Sequence, residues 1–174
     1  MPTPPRTSLD QIVTAGRAIL EADGLDALTM QRVAGAVGVR SPSLYKRVRG
    51  RRDLIRLIAN DVARELAVTL DDAATHADAR ADLRGLADAF RAYALLHPGA
   101  YGLLFARLPD DARVDPELNA RASQALLQTA GELAGPDHAL EAARTVVAWA
   151  HGFVSMELAG AAKAPIRWAS DVSQ

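Results

Sequence analysis

Hydroxyls and cations crowd into one short stretch of this chain, Ser41-Pro42-Ser43-Leu44-Tyr45-Lys46-Arg47, with Arg49, Arg51 and Arg52 directly after it. Ser followed by Pro is a helix-start signal, Ser as the cap and Pro at the first helical position. In so short a helix Leu44 would plug the core, which leaves Ser41, Pro42, Ser43, Tyr45, Lys46 and Arg47 on the free face. Small hydroxyls and cations near a helix N-terminus suit phosphate oxygens and the hydrogen-bonding edges of bases. The arginines beyond add charge where the backbone of a duplex would run. Tyr45 has two readings, a core ring with its hydroxyl at the surface or a phosphate contact. Taken alone, the cationic run 46–52 also reads as a solvated face around a structural bundle.

Holding that face in place takes neighbours, and the sequence supplies them. Ser8 with Gln11 has the capping-box spacing, and Leu9, Ile12, Val13, Gly16, Ile19 and Leu20 follow at helical intervals up to Gly24. Thr29 can cap a second, short helix through Val33 and Ala34, with Gly38 free to take the left-handed conformation of a tight turn. Val39 and Leu44 then fill the core, and small Ala34 lets the helices cross closely: a helix-turn-helix. A longer helix begins near Asp53, with Leu54, Ile55, Ile58, Val62 and Leu66 on one face. Residues 71–77 break it, and Leu83, Leu86, Ala87, Phe90, Ala94 and His97 resume the pattern as far as Pro98-Gly99. A short helix over 100–107, a loop over 108–115, a helix from the Asp115-Pro116 start to about 134 and a last helix over 138–160 complete the pattern. Abundant Ala and Leu and few β-branched runs agree with an all-α fold. The sequence predicts a loose arm over 1–7, a three-helix DNA-binding head over 1–52, and a helical body over 53–174 whose first helix connects the two.

Charge separates these parts. Residues 1–52 carry nine cations against four acids, a net +5, and the remainder carries −6. A basic head on an acidic body suits a polyanionic partner. There is no Cys and hence no disulfide framework. Residues 1–6 lack an apolar signal region and no apolar run reaches membrane-spanning length, so a cytoplasmic chain without a membrane partner is expected. No P-loop, nucleophile elbow, His-Glu-x-x-His or dinucleotide glycine pattern is present, which argues against an enzyme. The four His, at 76, 97, 138 and 151, have no spacing that pairs them on one helix, so no metal site and no cofactor are expected.

The order Thr29, Val33-Ala34, Gly38-Val39, Ser41-Pro42-Ser43-Leu44-Tyr45, Val48 and Asp53-Leu54 resembles the signature of the tetracycline-repressor (TetR) family over about residues 8–66. Val48 stands where the family commonly has an aromatic, and its Arg-rich loop resembles the tetracycline repressor's own branch. The resemblance implies a recognition helix in the major groove, carried twice by a homodimer on a palindromic operator of double-stranded DNA. It makes Gln31, Ser41, Pro42, Ser43, Tyr45 and Arg47 candidates for base-edge or groove contact, and Thr29, Tyr45, Lys46, Arg49 and Arg51 candidates for phosphate contact.

In the last helix, Trp149-Ala150-His151-Gly152 resembles a C-terminal domain type of this family named for its Trp-His-Gly motif, as does His97-Pro98-Gly99-Ala100-Tyr101 upstream. Leu140, Ala143, Val147, Ala150, Val154, Leu158 and Ala161 form a narrow apolar seam, and Leu118, Ala122, Ala125, Leu126 and Ala130 a second. Such seams either pair across a dimer or face the chain's own core, and the resemblance favours a dimer. That the body over 53–174 binds an effector and dimerises is what the family resemblance implies. Phe90, Tyr93, His97, Tyr101, Phe105, Trp149, His151, Phe153 and Met156 suit a small-molecule pocket and equally an ordinary core, and Trp149 and His151 point to different sides of their helix. The expected function is a sequence-specific DNA-binding transcriptional regulator, a repressor released by an unknown small-molecule effector. The alternative is an architectural or constitutive repressor without an effector.

Overall fold

In the computed structural model, residues 8–75 and 78–160 are described, and among them there are nine α-helices and no strand. They are α1 (Leu9–Asp23), α2 (Met30–Ala36), α3 (Ser41–Leu44), α4 (Arg51–Ala73), α5 (Ala79–Leu96), α6 (Pro98–Phe105), α7 (Pro116–Ala122), α8 (Gln124–Ala134) and α9 (Ala139–Leu158). The expected arm over 1–7, His76 and Ala161 lie outside the described residues.

Local side-chain chemistry sets the starts. Ser8 accepts the Gln11 N–H while the Gln11 side chain accepts the Ser8 N–H, closing the capping box of α1. Thr29 accepts the Arg32 N–H at 3.2 Å and caps α2, and Asp78 caps α5 through the Arg80 N–H. Burial along one stripe then orients α4, whose Leu54, Ile58 and Val62 are fully enclosed. Each such side chain contributes roughly 1.5–3 kcal/mol. One continuous core runs from Ile12 and Leu20 of α1 through α4 to Leu86, Leu103 and Ala125 of the body.

Polar fastenings join the other helices to this spine. Arg17 of α1 pairs with Asp61 at 3.0 Å and with Glu65, both on α4, and the Tyr93 hydroxyl of α5 donates to the same Glu65. Burial, reinforced by that carboxylate, pushes the Tyr93 phenol well above its ordinary pKa, so it stays a donor. Glu21, near the end of α1, accepts the Gly99 and Ala100 N–H groups at 2.8 and 2.9 Å and so satisfies the start of α6. The approach is close: a Cβ on Gly99 would lie 2.7 Å from the Leu20 carbonyl oxygen.

Several expected boundaries shift. At α3 the cap position belongs to Arg40, with Ser41 already helical and no side-chain capping bond. Helix α4 begins at Arg51, two residues before Asp53, because Asp53 turns back to accept the Arg49 N–H. Pro98 opens α6 where a stop had been expected, since Pro lacks only an N–H that the first turn leaves unpaired anyway. The loop over 108–115 contains a 3₁₀ turn, Asp110–Ala112, whose Ala112 is buried. The single helix expected over 116–134 divides at Ser123, where the N–H and hydroxyl both bond back to the Asn119 carbonyl and bend the chain. Asp115 occupies the cap position of α7, yet its carboxylate turns to α4, accepting from Asn60 Nδ2 at 2.7 Å and Arg56 at 3.0 Å. Its N–H donates to Asn60 Oδ1 at 2.9 Å, so buried Asn60 and Asp115 bond reciprocally.

Candidate functional site

Helix α3 projects from the head because the turn before it is sharp. Gly38 takes φ +73°, the left-handed region open to Gly, and the Val39 N–H returns to the Ala34 carbonyl at 2.9 Å. Leu44 and Val48, each 1% exposed, anchor the far side of α3 in the core. Pro42, Ser43, Tyr45, Lys46 and Arg47 are consequently exposed, Ser41 is half-buried, and Gln31 lies exposed on the neighbouring α2. Tyr45 is 55% exposed, which settles its two readings against the core ring.

Ion pairing sorts the cations. Arg32 pairs with Asp23, Arg52 with Asp111, and Arg17 with α4. Arg51 differs from its expectation as an outward phosphate contact: its Nε donates to the Leu28 carbonyl at 2.8 Å and one Nη to the Leu25 carbonyl at 2.7 Å, bracing the segment ahead of α2. Thr29 likewise uses its hydroxyl oxygen as the cap of α2. Among the described residues, no hydrogen bond or ion pair engages the side chains of Arg40, Lys46, Arg47 or Arg49, and all four are exposed. Arg40 was not singled out from the sequence; its place at the α3 cap position is the signal that could have found it. The surface therefore presents four exposed cations with no hydrogen bond or salt bridge, Arg49 alone having a carboxylate, Asp53, near its charge, with Ser43 and Tyr45 among them, an arrangement suited to phosphates and base edges. The loop behind it is held by Asp53. Burial pushes that carboxyl up, but the Arg49 N–H and the Arg56 guanidinium outweigh it and hold its pKa below the ordinary value.

The body holds a cavity of about 180 Å³, partly open to solvent. Its wall draws Ala63, Leu66 and Leu70 from α4, Leu83, Leu86, Ala87 and Phe90 from α5, and Leu104 and Phe105 from α6. Val114, Asn119, Ala122, Ser123 and Leu126 close one side, and Val146, Val147 and Ala150 of α9 the other. Of the nine residues expected for a pocket, Phe90 and Phe105 stand in this wall. The other seven stand elsewhere. Tyr93 is buried toward Glu65, with the His97 ring beside it at 5.1 Å. Tyr101 is enclosed and its hydroxyl bonds His151 Nδ1 at 2.6 Å, while Phe105 stacks on the His151 ring at 4.0 Å. Trp149, 66% exposed, stacks on Phe153, and both lie with Met156 on the outer side of α9.

That outer side is apolar, and no described element covers it. Leu127 and Leu133 of α8 and Leu140, Trp149, Phe153 and Met156 of α9 are all exposed. The expected seam is corrected: Ala143 and Val154 are buried within the chain, and Val147 and Ala150 border the cavity. The second seam turns inward too, with Ala125 and Ala130 buried. No helix is long and apolar enough to cross a membrane, and no group of three or more His, Asp or Glu could hold a metal ion, both among the described residues.

Comparison with known proteins agrees with this geometry. Residues 12–58 match the model of the bacterial regulatory proteins of the tetR family, and residues 83–173 match the tetracyclin repressor-like C-terminal domain. An uncharacterized HTH-type transcriptional regulator of Mycobacterium tuberculosis is 32% identical over 90% of this chain and 73% of its own length. The HTH-type transcriptional repressor DrrR1 of Streptomyces coeruleorubidus is 40% identical over 34% of this chain and 22% of its own. A solved structure from Rhodococcus sp. RHA1, of unknown function, superposes with a TM-score of 0.78 at 24% identity, covering 94% of this chain and 91% of that one.

Proposed function

The chain belongs to the tetR family of bacterial regulatory proteins, DNA-binding regulators of transcription, and on that premise we propose that it is a ligand-responsive repressor, released from a palindromic operator when a small molecule enters the body. The observation that carries the DNA-binding part is the cationic surface around α3: Lys46, Arg47 and Arg40 face outward with no partner among the described residues, and Arg49 is exposed beside them with Asp53 nearby. In this reading Ser41, Pro42, Ser43, Tyr45, Arg47 and Gln31 meet base edges and groove walls. Lys46, Arg49 and Arg40 meet phosphates. Thr29 and Arg51 support the surface from behind, since their polar atoms already bond the head's own backbone. The head is residues 1–52 and the body 53–174.

Two such heads come from a homodimer joined through the bare α8 and α9 faces, which supply apolar surface for a four-helix contact. Coupling follows from the fastenings of α4. Its residues line the cavity, its Asn60 and Arg56 hold the start of α7, and its N-terminal turns carry the head. A molecule that displaces α6 or α7 therefore turns α4 and changes the separation of the two recognition helices. A preference of about 1–3 kcal/mol for one arrangement suffices.

The test is fluorescence anisotropy on the DNA flanking the protein's own gene, titrated at several salt concentrations. Specific binding with a steep salt dependence is the expected result, and binding indifferent to salt would refute the phosphate contacts. An architectural repressor without an effector would bind equally well but respond to no small molecule.

A further inference from the structure

The cavity's lining specifies its occupant more narrowly than fold alone. Resting on the ligand-responsive reading, we propose that the effector is a neutral molecule of about one ring, apolar over most of its surface and carrying a single hydrogen-bonding group, as a simple phenol does.

Three observations converge. The first is charge: among the described residues no Asp, Glu, Lys, Arg or His lines the cavity. An ionised ligand group drawn into it would give up water with no counter-charge from the described lining to replace it. The second is size. The volume of about 180 Å³ is close to that of an apolar cavity of roughly 150 Å³ that stays dry and takes up benzene. Phe90 and Phe105, whose rings stand edge to face at 6.2 Å, offer a further ring the same kind of contact.

The third is the placement of polarity. Among the described lining residues only Asn119 and Ser123 carry polar side chains, four residues apart at the break between α7 and α8, both exposed and so at the rim of the cavity. The Asn119 carboxamide bonds no described residue, so both its donor and acceptor are available. The Ser123 hydroxyl donates its proton to the Asn119 carbonyl at 3.0 Å, so toward the cavity it can only accept. A ligand hydroxyl can donate to Ser123 or to the carboxamide oxygen and accept from the carboxamide N–H. The bend that divides the two helices is thus also the feature that gathers this polar pair.

The experiment uses p-cresol, toluene, benzoate and benzylamine, four one-ring probes differing in polarity and charge, with thermal melting and calorimetry on the full chain. At pH 7, p-cresol and toluene are expected to raise Tm, p-cresol more strongly. Benzoate and benzylamine are expected to leave it unchanged at equal concentration. Changing Asn119 and Ser123 together to Ala should weaken p-cresol about 5-fold or more, to the level of toluene. Two separate cavity-filling variants, Ala87→Phe and Ala150→Leu, should each suppress the shift, so that one misfolded variant does not decide the matter. Equal stabilisation by the charged probes, no stabilisation by either neutral one, or unchanged binding in a folded filled variant would overturn the inference. Operator anisotropy with the same probes separates the two levels. Neutral probes that bind without releasing DNA would leave the lining argument standing and sink the repressor reading. Release by the charged probes alone would do the reverse.

Discussion

Cations of one type do different work on the head, and the difference lies in what each already touches. Lys46 and Arg47 have no partner among the described residues, so changing either to Ala should leave the melting temperature nearly unchanged while weakening operator binding. For Lys46 the slope of log K against log salt should fall by about 1, the mark of one lost phosphate contact. Arg51→Ala should behave otherwise. Two carbonyls of the segment ahead of α2 lose their donor, so the chain should lose about 1–2 kcal/mol of stability, read from a denaturant melt. Asp53 adds a pH dependence. Its pKa is lower in the folded chain than in the unfolded one, because the Arg49 N–H and Arg56 outweigh the opposing effect of burial. A depressed carboxylate stabilises above its unfolded value and that stability disappears as pH falls through the folded one. Tm should therefore drop below about pH 4, and Asp53→Asn should melt lower at pH 7 with a shallower acid slope.

At the scale of helices, the joints between α4 and its neighbours are where single changes should matter most. Asp115→Ala removes the acceptor of the buried Asn60 Nδ2, for a loss of about 1–3 kcal/mol. Gly99→Ala drives a Cβ against the Leu20 carbonyl and Glu21 Cα, both backbone. It should cost about 1–3 kcal/mol and lower Tm by several degrees. Both effects are measurable by calorimetry, and wild-type Tm in either variant would contradict the packing described. The first two helix starts were legible in the sequence because their bonds are local: Ser8 with Gln11 and Thr29 with Arg32 lie within one turn. The break at Ser123 was not, since a serine inside a helix usually leaves it whole and only the geometry shows it bonding back. Arg51 misled for a related reason: its acceptors lie 23 and 26 residues upstream, and it stands in a run of like charges. The cavity was illegible in principle. Its wall is drawn from six helices and their connections, and leucines at helical spacing look the same whether they meet another leucine or a gap. Trp149, Phe153 and Met156 drew attention as pocket residues because aromatic and thioether side chains suit pockets, but they occupy the side of α9 turned away from the chain's own core.

For the molecule as a whole, the exposed rings of α9 call for a partner. Trp149 and Phe153 stack on each other at the surface beside Met156, and a large apolar patch on a lone chain is an association site. Trp149→Asp should turn a dimer into a monomer in light scattering and abolish tight operator binding, leaving helical content in circular dichroism intact. A wild-type monomer at micromolar concentration would contradict the dimer reading. The contact of Glu21 with the start of α6 bears on how such a protein can be rebuilt. Grafting another reader onto this body would require transplanting the tail of the first helix together with the opening turn of the sixth, because each completes the other's backbone. A chimaera that respected only the borders of the charged front end would discard the Glu21 carboxylate and leave the two amides of the body bare.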